Sequence, residues 1–115
     1  MDIKADNYSV SYDDAGTITC VGNFRLQGSD YAPITDLLSK VADATPAQIT
    51  LDVRALSFLN SSGINALSKF VIRVRKLATS AMLVRGSKAH VWQAKSLKNL
   101  ARLKKDLVLE MEEAT

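Results

Sequence analysis

A chain of 115 residues, 47% of them hydrophobic, is one domain's worth, large enough to bury a single core and without the roughly 20-residue apolar run of a membrane span. One cysteine, Cys20, excludes an internal disulfide and a thiolate metal cluster, and one histidine among scattered carboxylates offers no zinc ligand set. The net charge of +3 conceals a 53-residue stretch, Val53 to Lys105, that holds twelve basic residues and no acidic one, flanked by acidic ends. That asymmetry points either to an anionic partner or to basic residues dispersed and paired with the acidic termini.

The opening MDIKADNYSV is mixed and polar and does not resemble a signal peptide, so a cytoplasmic protein is expected. Tyr8 to Tyr12 alternates, Asp13-Asp14-Ala15-Gly16 marks a turn, and Thr17 to Phe24 alternates again, which predicts two strands joined by a turn. Cys20 falls on the inward side as a core thiol. Ser29 or Asp30 is a candidate cap, Pro33 suits a first helical turn, and Ile34, Leu37, Leu38, Val41 and Ala42 form an apolar stripe. Ile49, Leu51 and Val53 alternate in a strand ending at Arg54, followed by a connection from Ala55 to Leu59.

The strongest helix runs from about Ser61 to Leu77. Ile64, Leu67, Val71, Val74 and Ala78 share one face, with Phe70 on its flank. The opposite face carries Asn65, Ser68, Lys69, Ile72 and Lys76, where Ile72 is an apolar residue in polar company and a candidate partner contact. Ala81 to Arg85 reads as a short strand, Gly86-Ser87 as a turn, Lys88 to Leu103 as a weaker helix, and Leu107 to Leu109 as a last strand. Residues from about 111 to 115 are expected to fray. The order β-β-α-β-α-β-α-β predicts an α/β fold: a single domain over 1–115, with a mixed sheet flanked by helices.

Functional loops of such sheets gather beyond the carboxyl ends of the parallel strands. Three segments are expected to share that edge if strands two, three and four run parallel: Phe24 to Ser29, Asn60 to Gly63, and Arg85 to Lys88. In Asn60-Ser61-Ser62-Gly63, two hydroxyls open a helix whose free N–H groups and dipole favour negative charge. A phosphoserine there adds about −1.5 to −2 charges; the bland alternative is a helix cap worth about 1 kcal/mol. Gly63 is expected to keep the first turn open to an approaching active site. Catalysis lacks its parts. The sole histidine, His90, has no Asp or Glu between Val53 and Lys105 to orient it, and His90 and Trp92 are read as packing residues. No GxxxxGK[ST] loop is present, so neither an enzyme nor a cofactor is expected.

The segment ITLDVRALSFLNSSGINALSKFVIRVRK, Ile49 to Lys76, resembles the core of the STAS family (sulphate transporter and anti-sigma factor antagonist domains). That family carries an apolar strand ending in Asp or Asn, a short turn, then D-S-[ST]-G before an amphipathic helix. The resemblance implies a non-catalytic bacterial regulatory domain, anti-sigma factor antagonist-like. Such a domain binds an anti-sigma factor that is also a serine kinase, is released by phosphorylation, and is restored by a serine phosphatase. By matching, Ser61 is the phosphoacceptor, with Ser62 the alternative. The chain departs from the pattern twice, with Asn60 in place of the motif aspartate and Arg25 in place of an aspartate ending the second strand. Arg25, Arg54 and Lys88 are candidate phosphate or partner contacts, and Lys69, Ile72 and Lys76 a candidate docking face. Two other readings stay open. One is a constitutive interaction or scaffold module. The other is a domain binding an anionic small molecule such as a nucleotide; nucleic acid is disfavoured because aromatic residues are few, 6% of the chain.

Overall fold

A computed structural model describes residues 2–78 and 80–113. Six strands form one sheet in chain order: β1 (Asp2–Lys4), β2 (Tyr8–Tyr12), β3 (Thr17–Phe24), β4 (Gln48–Leu59), β5 (Ala81–Ser87) and β6 (Val108–Glu112). The first two pairings are antiparallel and the other three parallel. The crossovers are α1 (Ala32–Asp43), α2 (Ser61–Leu77) and α3 (Val91–Ala101). Each parallel crossover moves one strand onward in the same direction, and with one handedness that places all three helices on one face of the sheet. The core lies between that face and the helices. The sheet contributes residues such as Val10, Ile18, Cys20, Ile49, Leu51, Val53 and Val84; the helices contribute Ile34, Leu38, Val41, Leu67, Phe70, Val71, Val74 and Leu97.

The expected α/β order stands, with an added first strand. Asp2–Lys4 is too short for a periodic signal and is held by its pairing with β2. Several boundaries move for identifiable reasons. Helix α1 is entered through a 3-10 turn over Gly28–Tyr31, so neither Ser29 nor Asp30 caps it; Pro33 sits in its first turn as expected. In α2 the buried stripe is Ala66, Leu67, Phe70, Val71 and Val74, so Phe70 is core rather than flank, and Ala78 is the left-handed C-cap (φ 57°) rather than part of the stripe. Gly86 and Ser87 belong to β5, and α3 starts at Val91. The tail is ordered further than expected. Met111 and Glu112 lie in β6, opposite Gly86 and Ser87, and the Glu112 carbonyl accepts the Lys88 N–H at 2.8 Å.

The acidic ends resolve the basic middle. Arg54 binds Asp52 (2.8 Å) and Glu112 (3.4 Å), Arg73 binds Asp43 (2.7 Å), and Arg85 reaches Glu110 (3.5 Å). Lys88 binds Glu113 (2.6 Å) and Lys104 binds Asp106 (2.5 Å). Apart from that of the buried Lys104, these are exposed pairs that add little stability, but they neutralise five of the twelve basic residues in the stretch.

Strand β4 sets the position of the α2 tip. It runs to Leu59, not Arg54, and so overshoots β5, whose last registered partner is Asp52. The overhang stays paired with β3 through Val21–Ala55, Gly22–Leu56, Asn23–Phe58 and Phe24–Leu59, with two register shifts on the way. Those extra residues break the alternation, because inward residues now fall at Val53, Leu56 and Leu59. The free edge of the overhang is closed by the start of α3. Gln93, fully buried, donates to the Val53 and Leu56 carbonyls (2.6 and 3.0 Å) and accepts the Ser87 N–H (2.7 Å). Trp92 Nε1 donates to Leu56 O (2.9 Å), and His90 Nε2 lies 3.0 Å from Arg54 O. Side chains thus satisfy carbonyls that a neighbouring strand would otherwise take.

Candidate functional site

The overhang delivers the chain to the tip of α2. Asn60 ends β4 in an extended conformation (φ −85°, ψ 177°), and its backbone N–H donates to Phe24 O at 3.2 Å. Its side chain makes three hydrogen bonds. Oδ1 accepts the Gly63 N–H at 2.9 Å and the Tyr31 hydroxyl at 2.7 Å, while Nδ2 donates to Leu26 O at 2.7 Å. The Tyr31 hydroxyl also lies 3.1 Å from Phe24 O. One amide therefore caps the helix and ties it to the β3–α1 connection and to the 3-10 turn. This accounts for the departure from the motif aspartate. A carboxylate would present an oxygen to the Leu26 carbonyl, where the amide presents a donor.

Gly63 is buried and faces inward. A Cβ there would stand 2.3 Å from Leu59 Cδ1 and 2.7 Å from the Tyr31 hydroxyl. Its smallness serves the packing beneath the helix tip, which corrects the expectation that it clears an outer approach.

With Asn60 as cap, the serines carry none of that role. Ser61, at the first helical position, is exposed, and its hydroxyl makes no hydrogen bond to the described residues. Ser62 is half-buried and lines a hollow of about 310 Å³ between α1 and α2, together with Tyr31, Thr35, Asn65 and Lys69. The first turn of α2 contains no acidic residue. Its N–H groups thus face no built-in negative charge.

The candidate contacts divide. Arg25 follows Phe24, whose carbonyl accepts the Asn60 N–H, so Arg25 and Ser61 flank a single hydrogen bond. Its guanidinium lies 4.5 Å above the Phe58 ring. Arg54 is not brought to the serines. It lies five residues before Leu59, about 16 Å at strand rise, and Asp52 grips its guanidinium from the other direction (Nε–Oδ1 3.0 Å). Lys88 sits beside the end of β5, below the overhang, and pairs with Glu113. The edge expected to gather three loops therefore gathers two, because β5 stops short. Of the proposed docking face, Lys69 and Lys76 are exposed, whereas Ile72 is half-buried. Sequence reasoning missed Tyr31 and the Leu26 carbonyl, which reach Asn60 from 29 and 34 residues away.

The titrating groups nearby are structural. Burial and the charge of Asp52 push the Cys20 thiol up to about 12, which makes it inert. Burial pushes the Asp52 carboxyl up, but the hydrogen bonds and charge of Arg54, with Arg85 adding, outweigh this and hold it below its ordinary value. Burial raises the Tyr31 hydroxyl, which keeps it a donor to Asn60. Among the described residues no group of three His, Cys, Asp or Glu is placed to hold a metal, and no helix is long and apolar enough to cross a membrane.

No sequence-family model and no curated protein matches the chain. Solved structures do. A chain in the crystal structure of the diguanylate cyclase SiaD in complex with its activator SiaC, from Pseudomonas aeruginosa, superposes with a TM-score of 0.72 at 13% identity, covering 99% of both chains. SiaC of Pseudomonas aeruginosa gives 0.72 at 13%, covering 99% of this chain and 98% of that one. An anti-sigma factor antagonist from Mycobacterium paratuberculosis gives 0.63 at 18%, covering 92% and 90%. The chain shares its fold with SiaC and with that anti-sigma factor antagonist, the fold that the Ile49–Lys76 resemblance implied.

Proposed function

We propose that this chain is a non-catalytic regulatory protein-interaction domain of the anti-sigma factor antagonist type, whose binding is switched by phosphorylation of Ser61. The observation that carries the reading is the division of labour at the tip of α2. Asn60 performs the capping, so the neighbouring exposed serine is left without a structural task. A phosphate on Ser61 meets a helix N-terminus with no acidic residue in its first turn, where negative charge is favoured. It adds three strong acceptors next to Asn60, whose N–H bonds the carbonyl of the residue before Arg25. Ser62, turned into the hollow between α1 and α2, is the less accessible hydroxyl.

The similar structures support a regulatory role. SiaC is described as the activator of a cyclase and the Mycobacterium protein as an antagonist of an anti-sigma factor. The partner of this chain is accordingly a protein, with a serine kinase and a serine phosphatase acting on Ser61, in the cytoplasm. The test compares Ser61→Ala and Ser61→Asp with the unmodified protein in partner co-purification. The expected result is binding retained by the alanine variant and lost by the aspartate variant. Equal binding by all three would leave a constitutive scaffold module instead.

A further inference from the structure

Because all three helices cover one face of the sheet, the other face is bare. Part of it is polar and internally compensated, as in the Asp52, Arg85 and Glu110 row, whose members lie opposite one another on β4, β5 and β6, and next to that row Leu83 lies opposite Val108. The region over the β4 overhang differs. Val21 and Ala55 lie directly opposite on this face and are both exposed. Next to them Asn23 faces Phe58, which is 37% exposed with Arg25 stacked on its ring. Val91, the first residue of α3, is 95% exposed between His90 and Trp92, whose rings bond the Arg54 and Leu56 carbonyls along the edge of β4.

Two cations beside this pad, Lys4 and Arg25, are unpaired among the described residues. Lys4 continues the Val21 row through Ser9. Asp6 shares a hollow of about 300 Å³ with Arg25, between the β1–β2 turn and Leu26, but stays beyond ion-pair distance. An apolar centre with an unpaired cationic rim and an adjacent hollow suits a protein surface of apolar residues flanked by carboxylates. A cation stacked on an aromatic ring is already held in place for such a contact.

We propose that the bare-face pad of Val21, Ala55 and Phe58, rimmed by Arg25 and Lys4, docks an acidic-rimmed apolar surface of the protein partner, and that a phosphate on Ser61 competes with that partner for Arg25. This rests on the regulatory reading above and moves the interface from the outer face of α2 to the back of the sheet. It also makes the switch local. Arg25 is one hydrogen bond from the Ser61 segment, so phosphorylation removes the cation and adds repulsion toward the partner's carboxylates without refolding anything.

The experiment places a photo-crosslinking amino acid at position 58 or, separately, at position 72 of the full chain in its own cells. The expected result is an adduct of a second protein from position 58 and not from 72, with the crosslinked peptide carrying Asp or Glu. Arg25→Glu and Ser61→Asp should each cut the yield by about tenfold or more. Crosslinking from 72 alone would overturn the pad while leaving the regulatory reading intact. Adducts between two copies of this chain, or a position-58 adduct indifferent to Arg25→Glu, would overturn it as well. An adduct lost in Arg25→Glu but kept in Ser61→Asp would keep the docking surface and overturn the competition. No adduct from either position would overturn both readings. Both positions and Arg25 lie outside the core, and a urea melt of each variant separates misfolding from lost contact.

Discussion

Replacing Asn60 by aspartate restores the residue usual in the motif, yet here it should weaken the fold. The amide donates to Leu26 O at 2.7 Å, so a carboxylate in its place sets two oxygens against each other and leaves a part-buried carbonyl without its donor. An unsatisfied group of this kind costs roughly 1–3 kcal/mol. Against it stands the gain of a negative charge at a helix N-terminus, about 0.3–1 kcal/mol, with the bonds from Gly63 N–H and Tyr31 kept. The balance is a loss of about 1–2 kcal/mol at neutral pH. With a urea m-value of roughly 1–3 kcal/mol/M, the midpoint should fall by about 0.3–2 M with the slope unchanged. The pH dependence adds a signature. A carboxyl facing a carbonyl has its folded pKa raised, and the protonated form donates to Leu26 O. The deficit should therefore shrink as pH falls through that pKa. An Asn60→Asp protein as stable as the parent at neutral pH, or one whose deficit grows on acidification, would refute the hydrogen-bond assignment.

Gly63→Ala should lose about 1–3 kcal/mol in the same assay, because its Cβ meets Leu59 Cδ1 and the Tyr31 hydroxyl. Gln93→Leu strips the Val53 carbonyl of its donor and the Ser87 N–H of its acceptor, and should lower stability by roughly 2–4 kcal/mol in thermal or urea unfolding. Cys20 should resist a thiol reagent in the native state at neutral pH and react at the unfolding rate in denaturant, since burial holds its pKa near 12. Arg73 holds the Asp43 carboxyl low and Lys104 does the same for Asp106, while at Asp52 burial is outweighed by Arg54. These groups stabilise above the unfolded carboxylate pKa of about 3.9 and lose that contribution as pH falls through their lower folded values. Acid unfolding monitored by circular dichroism should accordingly begin at higher pH in Asp52→Asn than in the parent.

The legible parts of this chain are those where one period governs one element. Thr17–Phe24 and the stripe of α1 read directly, because alternate or helically spaced residues meet the same core. The end of β4 did not, because two register shifts move the inward positions to Leu56 and Leu59 and erase the alternation. Nor did the role of Gln93, since a glutamine near a helix start looks solvent-facing until the free edge of β4 is seen beneath it. At the site, Asn60 and Ser61 were visible as a cap and a displayed hydroxyl. Tyr31 and the Leu26 carbonyl, which explain why the cap is an amide, come together only through the parallel pairing of β3 and β4. The positive stretch left two readings open, an anionic partner or pairing with the acidic ends, because most of its acidic partners lie on strands and helices adjacent in space and distant in sequence.

The most direct test is intact-mass analysis with phosphopeptide mapping of the protein isolated from its own cells across growth conditions. A fraction carrying one phosphate on Ser61, rising and falling with conditions, is the predicted result. A protein never phosphorylated, or phosphorylated at Ser62 or elsewhere with Ser61 always bare, would contradict the account.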